Sequence, residues 1–156
     1  MGANQYAYLK RRGYKDALAT NVCTWLLALE NGEAIGLYCS DVAGAFDRVR
    51  SERLVSKLEV LGLPNTVVRF LESWLQQRKS VVVVGGAASS EWILCDSVFQ
   101  GTVFGPPLWN VFYADASRST SMLGFEEVVF ADDYNCPKGF ETPVPTHIVL
   151  DACKDC

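Results

Sequence analysis

"VVFADDYNC", residues 128–136, sets two aspartates side by side directly after an apolar run. Val128, Val129 and Phe130 have the β-branched and aromatic character of a buried strand, so Asp132 and Asp133 stand where that strand emerges. Like charges at adjacent positions repel unless something positive lies between them. A second stretch, "LYCSDVAGAFDRV" (residues 37–49), has the same design: a short apolar strand, then Asp41. If the two strands are neighbours in one sheet, Asp41 and Asp132 face each other across it. Side chains alternate along a regular strand, so Asp133 joins them only if the backbone turns at the pair. Three converging carboxylates call for hard divalent cations, Mg²⁺ or Mn²⁺. Two such ions about 4 Å apart activate an attacking oxygen and stabilise a leaving one. From spacing alone the plainer alternative stays open, with Asp41 capping a loop and Asp132–Asp133 in a polar turn.

Outward from these stretches, the chain alternates helix and strand patterns. Apolar residues at Ala17, Leu18, Val22, Trp25, Leu26 and Leu29 predict a helix from Asp16 to Asn31 that Asn31-Gly32 stops. "AIGLYCS" (34–40) is of strand length. Ser51 opens a helix with Leu54, Val55, Leu58 and Leu61 on one face, closed by Gly62, and Pro64 opens the next, which runs to Gln77. Ser80–Val84 and Trp92–Phe99 predict two strands of a hairpin that turns at Gly85-Gly86. A helix is expected from Leu108 to about Ser117, a strand from Glu127 to Ala131 and a terminal helix from Thr146 to Lys154. Pro137 and Gly139 make "YNCPKGFETPVP" (134–145) poor strand material, so a strand returning from the aspartate pair is expected to be short or lost. The fold class is therefore α+β, a small sheet with helices packed on one face.

Composition narrows the function classes. At 156 residues and 49% apolar, the chain suits one domain with one core. No apolar run approaches the roughly 20 residues of a membrane span, and "MGANQYAYLKRRGYKD" has no signal-peptide core, so an intracellular chain, nuclear or cytoplasmic and not secreted, is expected. Gly2 begins a myristoylation pattern that Tyr6 breaks. The six cysteines read as reduced thiols; Cys153-x-x-Cys156, with Cys136 and His147, lacks the second close pair of a zinc site. A net charge of −4 argues against a self-sufficient nucleic-acid binder. The one basic cluster is Lys10, Arg11, Arg12 and Lys15.

Three stretches in order, "SDVAGAFDRV" (40–49), "FQGTVFGPPLWNVFYAD" (99–115) and "VVFADDYN" (128–135), resemble motifs A, B and C in the palm of reverse transcriptases, RNA-directed DNA polymerases of the non-long-terminal-repeat retrotransposon and group II intron type. "QYAYLKRRGYKDAL" (5–18) is similar to the segment preceding motif A. The resemblance implies a palm-like core whose small antiparallel sheet carries motifs A and C on adjacent strands. It implies two Mg²⁺ (or Mn²⁺) ions held by Asp41, Asp132, Asp133 and the Val42 carbonyl, with the three aspartates catalytic. Gly44 and Ala45 would offer backbone amides to a triphosphate, Phe46 would lie against the sugar, and Gln100 and Gly101 would line the nucleotide pocket. Phe46 reads equally as a core aromatic, Trp109, Phe112 and Tyr113 as core packing, and Asp47 as the cap of the following helix. Lys10, Arg11 and Arg12 would touch template phosphates. The implied partners are an RNA template, a DNA primer and a deoxynucleoside triphosphate, with no membrane. The whole of residues 1–156 would be one partial domain, palm with part of the fingers, ending in a divergent tail (137–156). The remaining fingers, the thumb or an endonuclease would belong to flanking segments of a longer polyprotein. Phe99, Thr102, Phe104 and Pro107 depart from the motif B pattern, and Pro107 is expected to shift the helix start. The competing class is a catalytically inactive retroelement remnant serving as a binding or interaction module.

Overall fold

The computed structural model describes residues 4–76, 78–94, 96–116 and 122–155. In chain order its elements are α1 (Tyr14–Glu30), β1 (Glu33–Ser40), a 3₁₀ turn (Ala45–Arg48), α2 (Ser51–Val60), α3 (Asn65–Leu75), β2 (Arg78–Ser80), β3 (Val83–Val84), β4 (Ala87–Ala88), β5 (Trp92–Leu94), α4 (Gly105–Tyr113), β6 (Val128–Phe130), β7 (Asp133–Glu141) and α5 (Thr146–Lys154). The chain divides into two compact units, residues 1–43 with 113–156, and residues 44–112. No helix among the described residues is long and apolar enough to cross a membrane.

The first unit is built on a three-stranded antiparallel sheet in the order β1-β7-β6. The returning strand is therefore neither short nor lost: β7 is nine residues long and central. Pro137 is tolerated there for a reason of register. Its carbonyl accepts from the Glu126 N–H at 3.0 Å, so its side of the strand faces β6 rather than β1. A residue's N–H and C=O point the same way in an antiparallel ladder, so the missing proline donor removes no bond to Leu37 opposite. The stretch expected as a divergent tail supplies the rest of β7 and α5.

Val128 and Val129 are both buried, as are Cys136 and Pro137. Neighbours on a strand point to opposite faces, so this sheet is covered on both sides rather than on one. On one side Val129, Tyr134 and Cys136 cluster with Phe125, and Tyr38, Tyr113, Ala152 and Cys153 pack against them. Helix α1 lies along all three strands but buries Ala17, Asn21 and Ala28, not its leucines. Leu18, Leu26 and Leu29, which carry the apolar spacing of this helix, are each more than half exposed. Small side chains let the helix backbone approach the sheet closely, which turns the larger stripe outward.

In the second unit, α2 and α3 pack as a helical pair through Leu54, Leu58, Val68, Leu71 and Leu75. Each such fully buried aliphatic side chain contributes about 1.5–3 kcal/mol. Helix α2 begins after Arg50, without a side-chain cap; Asp47, expected as that cap, lies instead in the 3₁₀ turn, and Ser51 is the first helical residue. Gly85 and Gly86 both have positive φ, the signature of a two-residue hairpin loop, and join β3 to β4. Further down the same ribbon β2 pairs with β5. The valine run on this ribbon is solvent-exposed throughout. Helix α4 starts three residues earlier than expected, at Gly105 rather than Leu108, with Pro106 and Pro107 in its first turn. The first four N–H groups of a helix have no intrahelical acceptor, so prolines there cost nothing. Ser117, the expected end of this helix, and Gln77 and Cys156 lie outside the described residues.

Gly105 is the one residue type that fits its position. A Cβ there would stand 2.7 Å from the Phe99 carbonyl oxygen, 3.1 Å from Thr102 Oγ1 and 3.3 Å from the Phe46 ring. Because the nearest obstacle is backbone, Gly105→Ala is expected to lower stability by about 1–3 kcal/mol. The midpoint of urea unfolding measures it; an unchanged midpoint would contradict this packing.

Candidate active site

The carboxylates are set by the ends of the central sheet. β1 and β7 pair in register as far as Ser40 with Tyr134. One step further along the same antiparallel register come Asp41 and Asp133. Asp132 lies in the turn between β6 and β7, which pair up to Phe130 with Asp133. The backbone thus turns at Ala131 and Asp132, and β1 adjoins β7 rather than β6, so the strand before Asp41 is not the neighbour of the Val128–Phe130 strand that the sequence suggested. Asp41 and Asp133 are exposed and Asp132 is half-buried, and Val42 is half-buried beside Asp41. Carboxylate oxygens are the donors that Mg²⁺ and Mn²⁺ prefer, so the chemistry of this donor set fits such ions. Among the described residues, no three His, Cys, Asp or Glu side chains are already gathered as a metal-holding group.

The turn itself is held from far away in sequence. Ala131 has φ +61°, a left-handed backbone at the first position of a two-residue loop, where glycine is customary. For a residue with a Cβ this costs on the order of 1–2 kcal/mol. The side chain of Gln5 meets that residue: its Oε1 accepts from the Ala131 N–H at 3.0 Å and its Nε2 donates to the Ala131 carbonyl at 3.2 Å. Around it the N-terminal segment adds a parallel bridge to β6, with Tyr6 N–H donating to the Val129 carbonyl and Val129 N–H to the Asn4 carbonyl. A lone glutamine in an aromatic-rich stretch carries no physical signal of this role, and sequence reasoning missed it.

The charge of Asp132 reaches two tyrosines. The Tyr8 hydroxyl is raised above its ordinary pKa, first by burial and then by Asp132. Tyr113 is pushed up to about 12, first by burial and then by Cys136, Tyr38, Asp132 and Glu127. Its ring stands edge-on to Tyr134 at 6.0 Å, and the Tyr134 hydroxyl donates to Glu127. Between about pH 10 and 12 the unfolded chain releases the Tyr113 proton while the folded chain keeps it. Stability from this group is therefore intact below about pH 10 and falls as the pH rises to about 12. Tyr113→Phe is expected to lose less melting temperature than the unaltered chain on going from about pH 9 to about pH 11.5; equal losses would refute it.

Of the expected basic contacts, Lys10 and Arg11 are exposed, whereas Arg12 is engaged: its Nη1 donates to the Gln5 carbonyl at 3.2 Å and its guanidinium lies over the Tyr6 ring. In the second unit, Gly44 takes a left-handed φ before the 3₁₀ turn, and Ala45 and Phe46 are buried. Phe46 stacks on Trp109 with ring centroids 5.7 Å apart, and its carbonyl accepts from the Val98 N–H. Its packing is that of a core aromatic. Gln100 and Gly101 are exposed, and open space surrounds Gly101. Thr102, where the motif B pattern has serine, donates to the Phe99 carbonyl and accepts from the Gly105 N–H, closing the loop onto α4.

A family model described as reverse transcriptase (RNA-dependent DNA polymerase) matches residues 1–148. The chain is 31% identical over 134 residues to the RNA-directed DNA polymerase from mobile element jockey of Drosophila funebris, covering 83% of this chain and 14% of that protein. The jockey polymerase of Drosophila melanogaster is 33% identical over 135 residues, with the same coverage of 83% and 14%. The probable RNA-directed DNA polymerase from transposon BS of Drosophila melanogaster is 36% identical over 90 residues, which are 58% of this chain and 10% of that protein.

Proposed function

Because the chain belongs to the reverse transcriptase family, we propose that it forms the carboxylate-bearing palm portion of an RNA-directed DNA polymerase of mobile-element type. The observation that carries this reading is the β1–β7 register, which leads to Asp41 directly after β1 and Asp133 at the start of β7, with Asp132 in the adjoining turn. Asp41, Asp132, Asp133 and the Val42 carbonyl would hold two Mg²⁺ or Mn²⁺ ions. Bound there, the ions would supply charge neutralisation and activation of a primer hydroxyl for nucleotidyl transfer. The residues themselves would orient the reactants. Gly44 and Ala45 would present backbone amides to the triphosphate, and Gln100 with Gly101 would border the base and sugar. Phe46, pinned by its stack on Trp109, would be rigid enough to bar a 2′-hydroxyl. Lys10 and Arg11 would meet template phosphates, while Arg12 holds the backbone of Gln5. The substrates would be an RNA template, a DNA primer and a deoxynucleoside triphosphate.

The chain spans 14% of the length of the jockey polymerases it matches, so the test supplies the remainder. Residues 4–148 grafted in place of the matched segment of a jockey polymerase are expected to extend oligo(dT) on poly(rA) with dTTP. A graft that folds and binds primer–template yet incorporates nothing would end the polymerase reading. The second reading, a non-catalytic interaction module, is favoured by the exposed leucines of α1. Its signature would be a folded graft that is inactive and remains inactive when the motif B departures are reverted.

A further inference from the structure

We propose that Gln5 is a positioning residue of the candidate site, its buried carboxamide holding the backbone at Ala131 and so aiming Asp132 and Asp133. The proposal rests on the polymerase reading for why that aim matters; the hold on the turn stands on geometry alone. Gln5 is 7% exposed and lies 126 residues from Ala131 in sequence. Its Oε1 accepts twice, from Ala131 N–H at 3.0 Å and Ala7 N–H at 2.9 Å, while Nε2 donates to the Ala131 carbonyl at 3.2 Å. A flipped amide would set donors against donors, so the network permits one orientation.

Both backbone groups of Ala131 are thus occupied by one side chain. This matters because Ala131 holds a left-handed φ that alanine does not favour. Left to itself the loop would relax toward another turn type, and a slip of one residue in a hairpin turns every side chain to the opposite face. Asp132 and Asp133 follow Ala131 directly, so the direction of both carboxylates is inherited from that one residue. Gln5 is in turn fixed from behind. Its carbonyl accepts from Arg12, and its neighbours Asn4 and Tyr6 bond to the two backbone groups of Val129. The basic, aromatic-rich segment before α1 therefore has a mechanical task at the opposite end of the chain.

The test uses the full chain and amide exchange followed by NMR. Gln5→Met keeps the length of the side chain and removes its donor and acceptor. The Ala131 amide is expected to exchange at least about tenfold faster, the loss of one buried hydrogen bond. The Asp132 and Asp133 resonances should move, and amides in residues 44–112 should not. Adding Ala131→Gly, which accepts positive φ without strain, should bring the two aspartate resonances back toward their original positions. A general loss of structure would not be rescued in this way. Unchanged exchange at Ala131 in Gln5→Met would overturn the proposal, as would a double variant no closer to the original spectrum than the single one. That second comparison holds even if Gln5→Met alone folds poorly. Mn²⁺ broadening of Asp132 and Asp133 in the unaltered chain tests the underlying reading separately: without it the metal role fails, while the exchange results still decide the turn.

Discussion

Asp132→Asn is expected to weaken Mn²⁺ binding by at least about tenfold while leaving the melting temperature unchanged or slightly higher. The amide has the shape of the acid and removes one negative charge. A carboxylate about 4 Å from a cation in a partly solvated site contributes a few kcal/mol, which is more than the 1.4 kcal/mol of a tenfold change. Stability should not fall, because Asp132 and Asp133 are adjacent like charges and the substitution ends their repulsion. Isothermal titration of the two proteins measures the affinity, and thermal unfolding without metal measures the rest. Glu30→Gln is the control, an exposed acid at the end of α1 beside the Glu33 end of β1, the end opposite Asp41, and should leave Mn²⁺ affinity unaltered. Equal weakening by both substitutions would mean that Mn²⁺ senses only net charge, and the proposed centre at the sheet end would be lost.

Trp109→Ala should be the most damaging change in residues 44–112, costing about 3–5 kcal/mol. Trp109 is 1% exposed, stacks on Phe46 and contacts Phe112 at 6.2 Å between ring centroids. Its removal leaves a cavity that the α4 backbone cannot collapse to fill. Native domains have only about 5–15 kcal/mol in reserve, so this unit should unfold at much lower urea concentration. The Phe46–Trp109 coupling, measured with Phe46→Leu and the double variant, should be about 0.5–1.5 kcal/mol. A cost below about 1 kcal/mol for Trp109→Ala would show that the stack does not exist in solution.

Legibility in the sequence followed the range of the interactions. Helix α5 was expected at Thr146–Lys154 and is found there, and α2 begins at Ser51 and stops ahead of Gly62, because propensity and stop signals act within a few residues. The turn at Gly85-Gly86 was equally local, since two successive positive φ values suit glycine. The buried face of α1 was not legible. Periodicity marks an apolar stripe, but whether the stripe or the row of small residues meets the sheet depends on how closely the backbones approach. β7 was misjudged through Pro137, whose cost depends on which neighbour its missing N–H would have faced.

By itself the sequence determined the kind of chain this is: apolar strands ending in aspartates at 41 and 132–133, a Gln-Gly loop between them in sequence, and, through the resemblance of these stretches to the family's motifs, membership of the reverse transcriptase family. Only the tertiary structure decided that β7 runs between β1 and β6, that Asp41 lies one register step from the pair ending at Tyr134, and that Gln5 grips Ala131. The physical reason is that strand order and register arise from hydrogen bonds between residues roughly a hundred positions apart. An alternating pattern within one strand specifies which face is buried, and says nothing of which partner lies alongside.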